Sequence, residues 1–261
     1  MKTNSIGYDV MGNVVILKFS KDWSASKRKK FALDFLKKNS VTTVLEKVGK
    51  FKGRLRKMKT NFLVGEKTKE VLYKENGCVF RFNIDTTYFS PRLSNERIEI
   101  ARAIKKNEKV LVMCAGVGPF SIVIAKNCKT CEVYSNEINR EANKYAELNI
   151  KKNNTKNVEL IPGDIKKVAL KLKKEGKKFD VIVMARPQLK DMFLKEAFML
   201  SKKGTRIYYY DFCGVDEVNS VLEKVKSEAR KAGKKIKIKK HKIAGEIAPY
   251  RARVRVDFVI D

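Results

Sequence analysis

Residues 109–120 read Lys-Val-Leu-Val-Met-Cys-Ala-Gly-Val-Gly-Pro-Phe. Lys109 to Cys114 is an apolar, β-rich run, and a helical pattern through Ala125 follows the glycine turn. Strand, Gly-x-Gly, then helix is a nucleotide-binding turn: glycine lets the backbone approach a ligand, and the helix start presents free amides. A dinucleotide fingerprint needs a third glycine where Ser121 stands, and no Gly-Lys-Ser/Thr phosphate loop is present. A nicotinamide dehydrogenase and a nucleotide hydrolase are therefore disfavoured.

Outward from this turn, strand and helix patterns alternate. Strands are expected at Cys131–Ser135, Val158–Ile161, Phe179–Met184 and Thr205–Tyr210. Helices are expected at Arg140–Lys152, Lys166–Lys174 and Leu189–Leu200, and a hairpin-like pair near Lys235–Ile243 and Arg251–Ile260. Alternating βα units imply a parallel sheet with the loops after its strands gathered at the carboxyl edge. Glu137 stands about 20 residues beyond the turn, where an acid can accept both ribose hydroxyls of an adenosine. Asp164 ends the next strand, placed for an adenine amino group. The alternative is that Glu137 and Asp164 cap the helices after them. A glycine turn and two acids at three successive strand ends resemble the class I S-adenosylmethionine (SAM) methyltransferases. The expected fold class is α/β, a Rossmann-like, mostly parallel sheet preceded by a small α+β domain.

Towards the N-terminus the rhythm is mixed. Val14–Phe19 and Val41–Val48 suit strands, Lys27–Lys38 an amphipathic helix, and Glu75-Asn76-Gly77 the turn of a hairpin. The stretch 51–60 carries bases and no acid. Ser94 is a plausible cap for a helix over Asn95–Ile104. These elements predict a small α+β module over residues 1–95 ahead of the methyltransferase-like domain over 96–261, without internal repeats.

The chain has 261 residues, with 59 Lys+Arg against 29 Asp+Glu, a net charge of +30. Such a field attracts polyanions, of which nucleic acid is the commonest. No apolar run reaches the roughly 18 residues of a membrane span, and the start lacks a secretory pattern. A cytoplasmic chain without a membrane partner is expected. Its five cysteines do not suggest a disulfide framework. Cys128 and Cys131 have zinc-like spacing, but no second pair follows and His241 is the only histidine, so no metal site is expected. A local redox or disulfide pair remains open there.

Longer stretches extend the resemblance. YDVMGNVVILKF (8–19), TVLEKVGKFKGRLR (43–56), KENGCVFRFNIDTTYFSPRLSNER (74–97), MCAGVGPFSIVIAK (113–126) and APYRARVRVDF (248–258) resemble the archaeal/eukaryotic tRNA (guanine37-N1)-methyltransferase family. The resemblance implies SAM as methyl donor and the purine at position 37 of the tRNA anticodon loop as acceptor. It implies that Glu96 is the general base for the N1 proton, that Arg92 stabilises charge on the purine oxygen, and that Tyr88 positions the base. It further implies cofactor contacts from Arg97, Ala115, Gly116, Gly118, Glu137, Ile138, Asp164, Ile165 and Pro187. Guanine N1 is a poor nucleophile until its proton leaves, so a carboxylate and a guanidinium suit the chemistry. On a helical turn Arg92 and Glu96 would share one face, the bland reading being a surface ion pair.

Expected RNA contacts are Lys50, Lys52, Arg54, Arg56, Lys57 and Lys190. Arg251, Arg253 and Arg255 join them, alternating along one strand face. Tyr88 or Phe89 would stack on the extruded purine. The expected partner is the anticodon stem-loop of tRNA, bound by a monomer. Members of the family often carry a fuller N-terminal domain, and here the chain opens on what resembles their second. They also often have Asn-x-Pro after the fourth strand, where this chain reads Met184-Ala185-Arg186-Pro187-Gln188. That departure, with the Tyr208–Phe212 stretch, keeps open a second acceptor, the wyosine precursor 4-demethylwyosine. Aminocarboxypropyl transfer, a non-catalytic RNA-binding protein and a methyltransferase for protein or small molecules are further alternatives.

Overall fold

The computed structural model describes residues 6–38, 40–185 and 192–261, with the backbone alone at 50–52. The chain begins with β1 (Gly7–Met11), β2 (Val14–Lys18), α1 (Ala25–Leu36), β3 (Thr43–Lys52) and β4 (Lys57–Gly65). They form a four-stranded sheet in the order β1-β2-β3-β4, with β2 and β3 parallel across α1. Ser24 caps α1 by accepting the Lys27 amide at 3.3 Å. Alternation along β2 sorts its side chains. Val15 and Leu17 meet Ala32 and Phe35 of α1, while Val14 and Ile16 join the core of the rest of the molecule. Gly12 makes the β1–β2 turn at φ 58°, where a Cβ would lie 1.9 Å from the Leu72 carbonyl oxygen.

A two-stranded ribbon follows, β5 (Glu70–Glu75) and β6 (Cys78–Asn83). Its Asn76-Gly77 turn has both φ values positive, as a tight hairpin requires. Next come α2 (Ser94–Ala103), β7 (Lys109–Met113), α3 (Pro119–Asn127), β8 (Glu132–Glu137) and α4 (Arg140–Asn153). The chain continues through β9 (Val158–Pro162), α5 (Ile165–Lys174), β10 (Phe179–Met184) and α6 (Leu194–Leu200). It ends with β11 (Ser201–Gly214), α7 (Val218–Lys231), β12 (Ile236–Ala248) and β13 (Arg251–Ile260). The second sheet runs β12-β13-β11-β10-β7-β8-β9. Strands β11, β10, β7, β8 and β9 are parallel, and β13 and β12 close one edge antiparallel. The chain winds from β7 out to β9, then returns to β10 on the other side of β7. The order therefore reverses at β7, where a doubly wound sheet opens a crevice.

The expected α/β class and its order of strands hold from β7 to β10. Three elements were not anticipated: β1, β4 and α7. β1 is an exposed edge strand with no apolar run. In α7 the buried face, Val221, Val225 and Ala229, is diluted by charged residues. Ser94 is the first residue of α2 rather than its cap, because Leu93 takes that place. A division near residue 95 would part the ribbon from α4. Asn149 and Asn153 of α4 bond the backbone of Arg81 and Val79 on β6 at 2.7–3.1 Å. Cys128 and Cys131 form a disulfide.

Candidate active site

The loop after β7 departs from ordinary backbone three times: Cys114, Gly116 and Gly118 have φ values of 56°, 61° and 85°. Left-handed conformation is cheap for glycine and costly for other residues. Gly118 sits at the N-terminus of α3, packed on Ile122 and Ala146 beneath the cavity surface. Gly116 faces a cavity at the switch point, and a Cβ there would come within 3.3 Å of the Tyr88 carbonyl oxygen. Gly116, Glu137, Asn139 and Ala142 line the cavity's inner end, while Leu55, Arg56, Tyr88, Phe212 and Arg253 line its mouth. Cys114, Leu93 and Ala185 complete the wall.

Glu137 is 8% exposed. One carboxylate oxygen accepts the Gly116 amide and the other the Asn139 amide, each at 2.8 Å. A carboxylate offers about four lone-pair sites, so two amides leave acceptor capacity for a pair of hydroxyls. The cap of α4 is Asn139, which accepts the Glu141 amide. Asp164 does cap α5 through the Lys166 amide, and its second oxygen holds Arg54 at 3.0 Å. That hydrogen bond from Arg54 keeps the Asp164 carboxyl below its usual range. The pair ties the β3–β4 turn to the end of β9, beside the cavity. A left-handed glycine under the Tyr88 carbonyl and a buried acid with spare lone pairs fit the ribose end of an adenosine cofactor.

A second, open cleft continues outward from the mouth. Arg56, Tyr88, Phe212 and Arg253 belong to both hollows, and Tyr8, Lys47 and Arg92 stand on the outer side. The Arg56 guanidinium lies 4.5 Å from the Tyr88 ring centroid. Such stacking on an aromatic face is attractive and holds the guanidinium plane in place.

Several expected positions are corrected. Arg92 lies in the 3₁₀ turn Pro91–Leu93, not on α2, and points into the outer cleft, 3.4 Å from Asp9. Glu96 lies on α2 and is buried, so the two do not share a face. The Glu96 carboxylate accepts the Tyr210 hydroxyl at 2.8 Å, Arg255 at 2.7 Å and Lys242 at 2.6 Å, behind the cavity wall. Arg97 is 1% exposed and lines neither hollow. It forks onto Glu75 and bonds the Ser90 carbonyl, between the rings of Phe89 and Phe120. Ile165 packs in the core under the sheet, and neither it nor Ile138 lines the cavity. Ala115 donates its amide to the Asn136 carbonyl. Phe89 is stacked on Phe82, so of the two rings expected to meet the purine only Tyr88 lines the cavity.

The arginines of β13 divide. Arg251 is exposed, but Arg253 and Arg255 are 5% and 2% exposed and face inward, so the strand is not a surface row of cations. Pro187, Lys190 and the side chains of Lys50 and Lys52 lie outside the described residues. Sequence reasoning missed Asn139, Phe212 and Leu55, and placed Arg56 on the RNA face rather than at the mouth. The only available signal was the Gly53-Arg54-Leu55-Arg56 turn, whose tight bend turns Leu55 and Arg56 onto the cavity.

Comparison with known proteins adds independent findings. Residues 71–239 match the TRM5/TYW2 methyltransferase domain, and residues 2–68 the TYW2 N-terminal domain. The chain is 32% identical to tRNA (guanine(37)-N(1))-methyltransferase Trm5b of Pyrococcus abyssi, over 96% of this chain and 74% of that one. The crystal structure of that protein superposes with a TM-score of 0.85 at 30% identity, covering 98% of this chain and 75% of that one. The chain is 30% identical to tRNA (guanine(37)-N(1))/4-demethylwyosine(37)-methyltransferase Taw22 of Nanoarchaeum equitans, over 98% of this chain and all (100%) of that one. An aTrm5 solved with tRNALeu matches with a TM-score of 0.83 at 29% identity, over 98% of this chain and 72% of that one. A glycine turn and an acid at the switch point, carried on this strand order and matched over nearly the whole chain, make this protein a member of the TRM5/TYW2 methyltransferase family.

Proposed function

We propose that this chain transfers the methyl group of SAM to N1 of guanosine at position 37 in the anticodon loop of tRNA. The observation that carries this reading is the shared mouth. A cavity suited to adenosine opens, through Arg56, Tyr88 and Arg253, into a cleft lined by the N-terminal sheet. SAM supplies an electrophilic methyl group on a sulfonium. Glu137 and Gly116 would hold its ribose end, with Ala115 and Gly118 shaping the turn. Asp164 would meet the adenine edge, sharing its carboxylate with Arg54. The purine leaves its stack to reach the cavity, and Tyr88 offers the ring on which it can lie.

Glu96 is the proton acceptor in this reading. It belongs to the β11–β13 side of the site, where Arg253 pairs with Phe212 and Arg255 with Tyr210. Glu96 meets the ends of the Tyr210 and Arg255 side chains, two residues along their strands from Phe212 and Arg253 at the mouth. It serves as base by exchanging Tyr210 and Lys242 for the purine. Burial, and then the Glu96 charge, push the Tyr210 phenol well above its usual range, so it stays a donor to that carboxylate.

The net charge of +30 and the tRNALeu complex of the related aTrm5 support tRNA as partner. The anticodon stem-loop would lie across the outer cleft, with Arg54, Lys57 and the exposed Arg251 on phosphates. The protein would act as a cytoplasmic monomer. No helix among the described residues is long and apolar enough to cross a membrane. One observation favours a second acceptor, 4-demethylwyosine at the same position: Ala185 lines the cavity without the amide of the family's frequent Asn, and the Nanoarchaeum relative is named for both acceptors.

Labelled-methyl transfer from SAM to unmodified transcripts carrying G37 or A37 tests the proposal. Transfer to G37 alone supports it. No transfer with SAM still bound moves the acceptor to the wyosine precursor. Failure to bind SAM leaves a non-catalytic RNA-binding protein.

A further inference from the structure

The hairpin of β12 and β13 closes at Ala248, which pairs with Arg251, leaving Pro249 and Tyr250 at the bend. Proline at the first central position and a positive φ of 58° at the second mark a turn whose second site favours glycine or asparagine. This chain puts a tyrosine there, 88% exposed. A left-handed backbone is costly for a residue with a bulky side chain. Among the described residues, those at positive φ that are neither glycine nor asparagine are Arg56, Cys114, Phe193 and Tyr250. Arg56 and Cys114 line the cofactor cavity, and Phe193 is buried in the core. Tyr250 has neither reason, because its ring stands in solvent. The bend is nevertheless held in place. The Tyr250 carbonyl accepts the Val215 amide at 3.1 Å, and Arg251 pairs with Gly214 at the end of β11. Ile247 on one arm of the hairpin and Arg253 on the other line the outer cleft, and the exposed Arg251 is the neighbour of Tyr250.

We propose that Tyr250 is a stacking platform for an unpaired base of the anticodon loop next to the target purine. This rests on the function proposed above. When the purine leaves the loop stack, the bases on either side of it each lose a neighbour and expose a π face. A ring at the end of the cleft replaces that neighbour, and such stacking tolerates any base. The Arg251 guanidinium beside it suits a phosphate of the same stretch of RNA. Because the turn is pinned to β11, little backbone freedom is lost on binding. A tyrosine in a position that favours glycine is then explained by the complex rather than by folding. A second copy of this chain is the poorer occupant, since a charge of +30 repels its like and attracts RNA.

The test is filter binding of tRNA, at one salt concentration, to the full chain as wild type, Tyr250→Gly and Tyr250→Phe. Each protein is titrated with intact tRNA and with tRNA made abasic on one side or the other of position 37. Melting temperature and gel filtration accompany the titrations. Tyr250→Gly is expected to weaken binding of intact tRNA about 10–100-fold. Its melting temperature should not fall, because glycine suits the turn. On the tRNA that lacks the stacked base, wild type and Tyr250→Gly should agree within about threefold, and Tyr250→Phe should match wild type throughout. Equal binding of intact tRNA by wild type and Tyr250→Gly overturns the proposal. So does a Tyr250→Gly defect undiminished on both abasic tRNAs, which moves the ring to the RNA backbone. A Tyr250→Phe defect as large as that of Tyr250→Gly gives the role to the hydroxyl and overturns it too. A lowered melting temperature makes Tyr250 structural, and a wild-type dimer lost in Tyr250→Gly makes the turn a contact between copies; either result overturns it as well. Methyl transfer to G37 by wild type tests the underlying function alone. A chain that binds tRNA without methylating it strikes that reading and leaves the stacking test standing, whereas one that binds no tRNA strikes both.

Discussion

Arg253 and Arg255 sit two residues apart on one face of β13, both nearly inaccessible to water. Arg255 is enclosed by three carboxylates, and its hydrogen bonds to Asp257 and Glu99 stabilise its charge more than burial opposes it. Arg253 has an aromatic ring and open cavity. The same residue type on the same strand face is thus a structural clamp in one place and, in the next, a buried charge without a carboxylate among the described residues. The lesson is that burial of a charge says little until its partners are counted.

The largest expected effect probes the clamp's acid. Glu96→Gln should slow methyl transfer by about 10²–10⁴-fold if Glu96 takes the proton, with SAM binding intact. Rapid-quench transfer measures this, and an unchanged rate would confine Glu96 to the clamp. Next, Arg255→Met should cost about 3–5 kcal/mol, because it strands buried carboxylates, whereas Arg253→Met should change stability by under about 1 kcal/mol or raise it. Paired urea titrations of the two variants compare them directly, and equal losses would erase the contrast. Gly116→Ala forces a side chain into a left-handed position and should cost about 1–2 kcal/mol, seen in SAM affinity and melting temperature.

A smaller effect comes from acid. Burial would raise the Glu99 carboxyl, but hydrogen bonds from Arg255 and Lys242 hold it down at about 2, against an ordinary 4.5. Its folded value is the lower one, so its contribution is complete above pH 4.5 and is lost as pH falls towards 2. Glu99 is partly exposed, and screening reduces that contribution to about 1 kcal/mol. Acid unfolding of Glu99→Gln should lack this part of the slope. The smallest effect is expected of Arg54→Ala. The half-exposed pair with Asp164 is worth under about 1 kcal/mol, while the log–log salt dependence of tRNA binding should flatten by about one ion. An unchanged salt slope would remove Arg54 from the RNA face.

Much of the catalytic sheet was legible because each strand there is a short apolar run ended by a turn residue. Phe179–Met184 stands with the limits read from its sequence, and Glu137 lies at the strand end where its spacing put it. The reading failed where meaning depended on a neighbour in space. A period of two correctly put Arg251, Arg253 and Arg255 on one face, yet period cannot say whether that face meets water. The spacing of Arg92 and Glu96 suited a shared helical face, but Pro91 opens a 3₁₀ turn and the helix begins only at Ser94. Arg97 has the look of a ligand residue until Glu75, distant in sequence, closes on it.

By itself, then, the sequence determined the alternating βα order, the glycine turn that backbone sterics require, and a charge that calls for a polyanion. These are local or additive properties, written in consecutive residues. Tertiary structure decided which of the chain's buried cations are paired, which acid turns toward the cavity, and that Arg56, Tyr88 and Arg253, drawn from three distant segments, meet at one mouth. Pairing and burial depend on contacts between strands far apart in sequence, and electrostatic worth follows from them rather than from residue type.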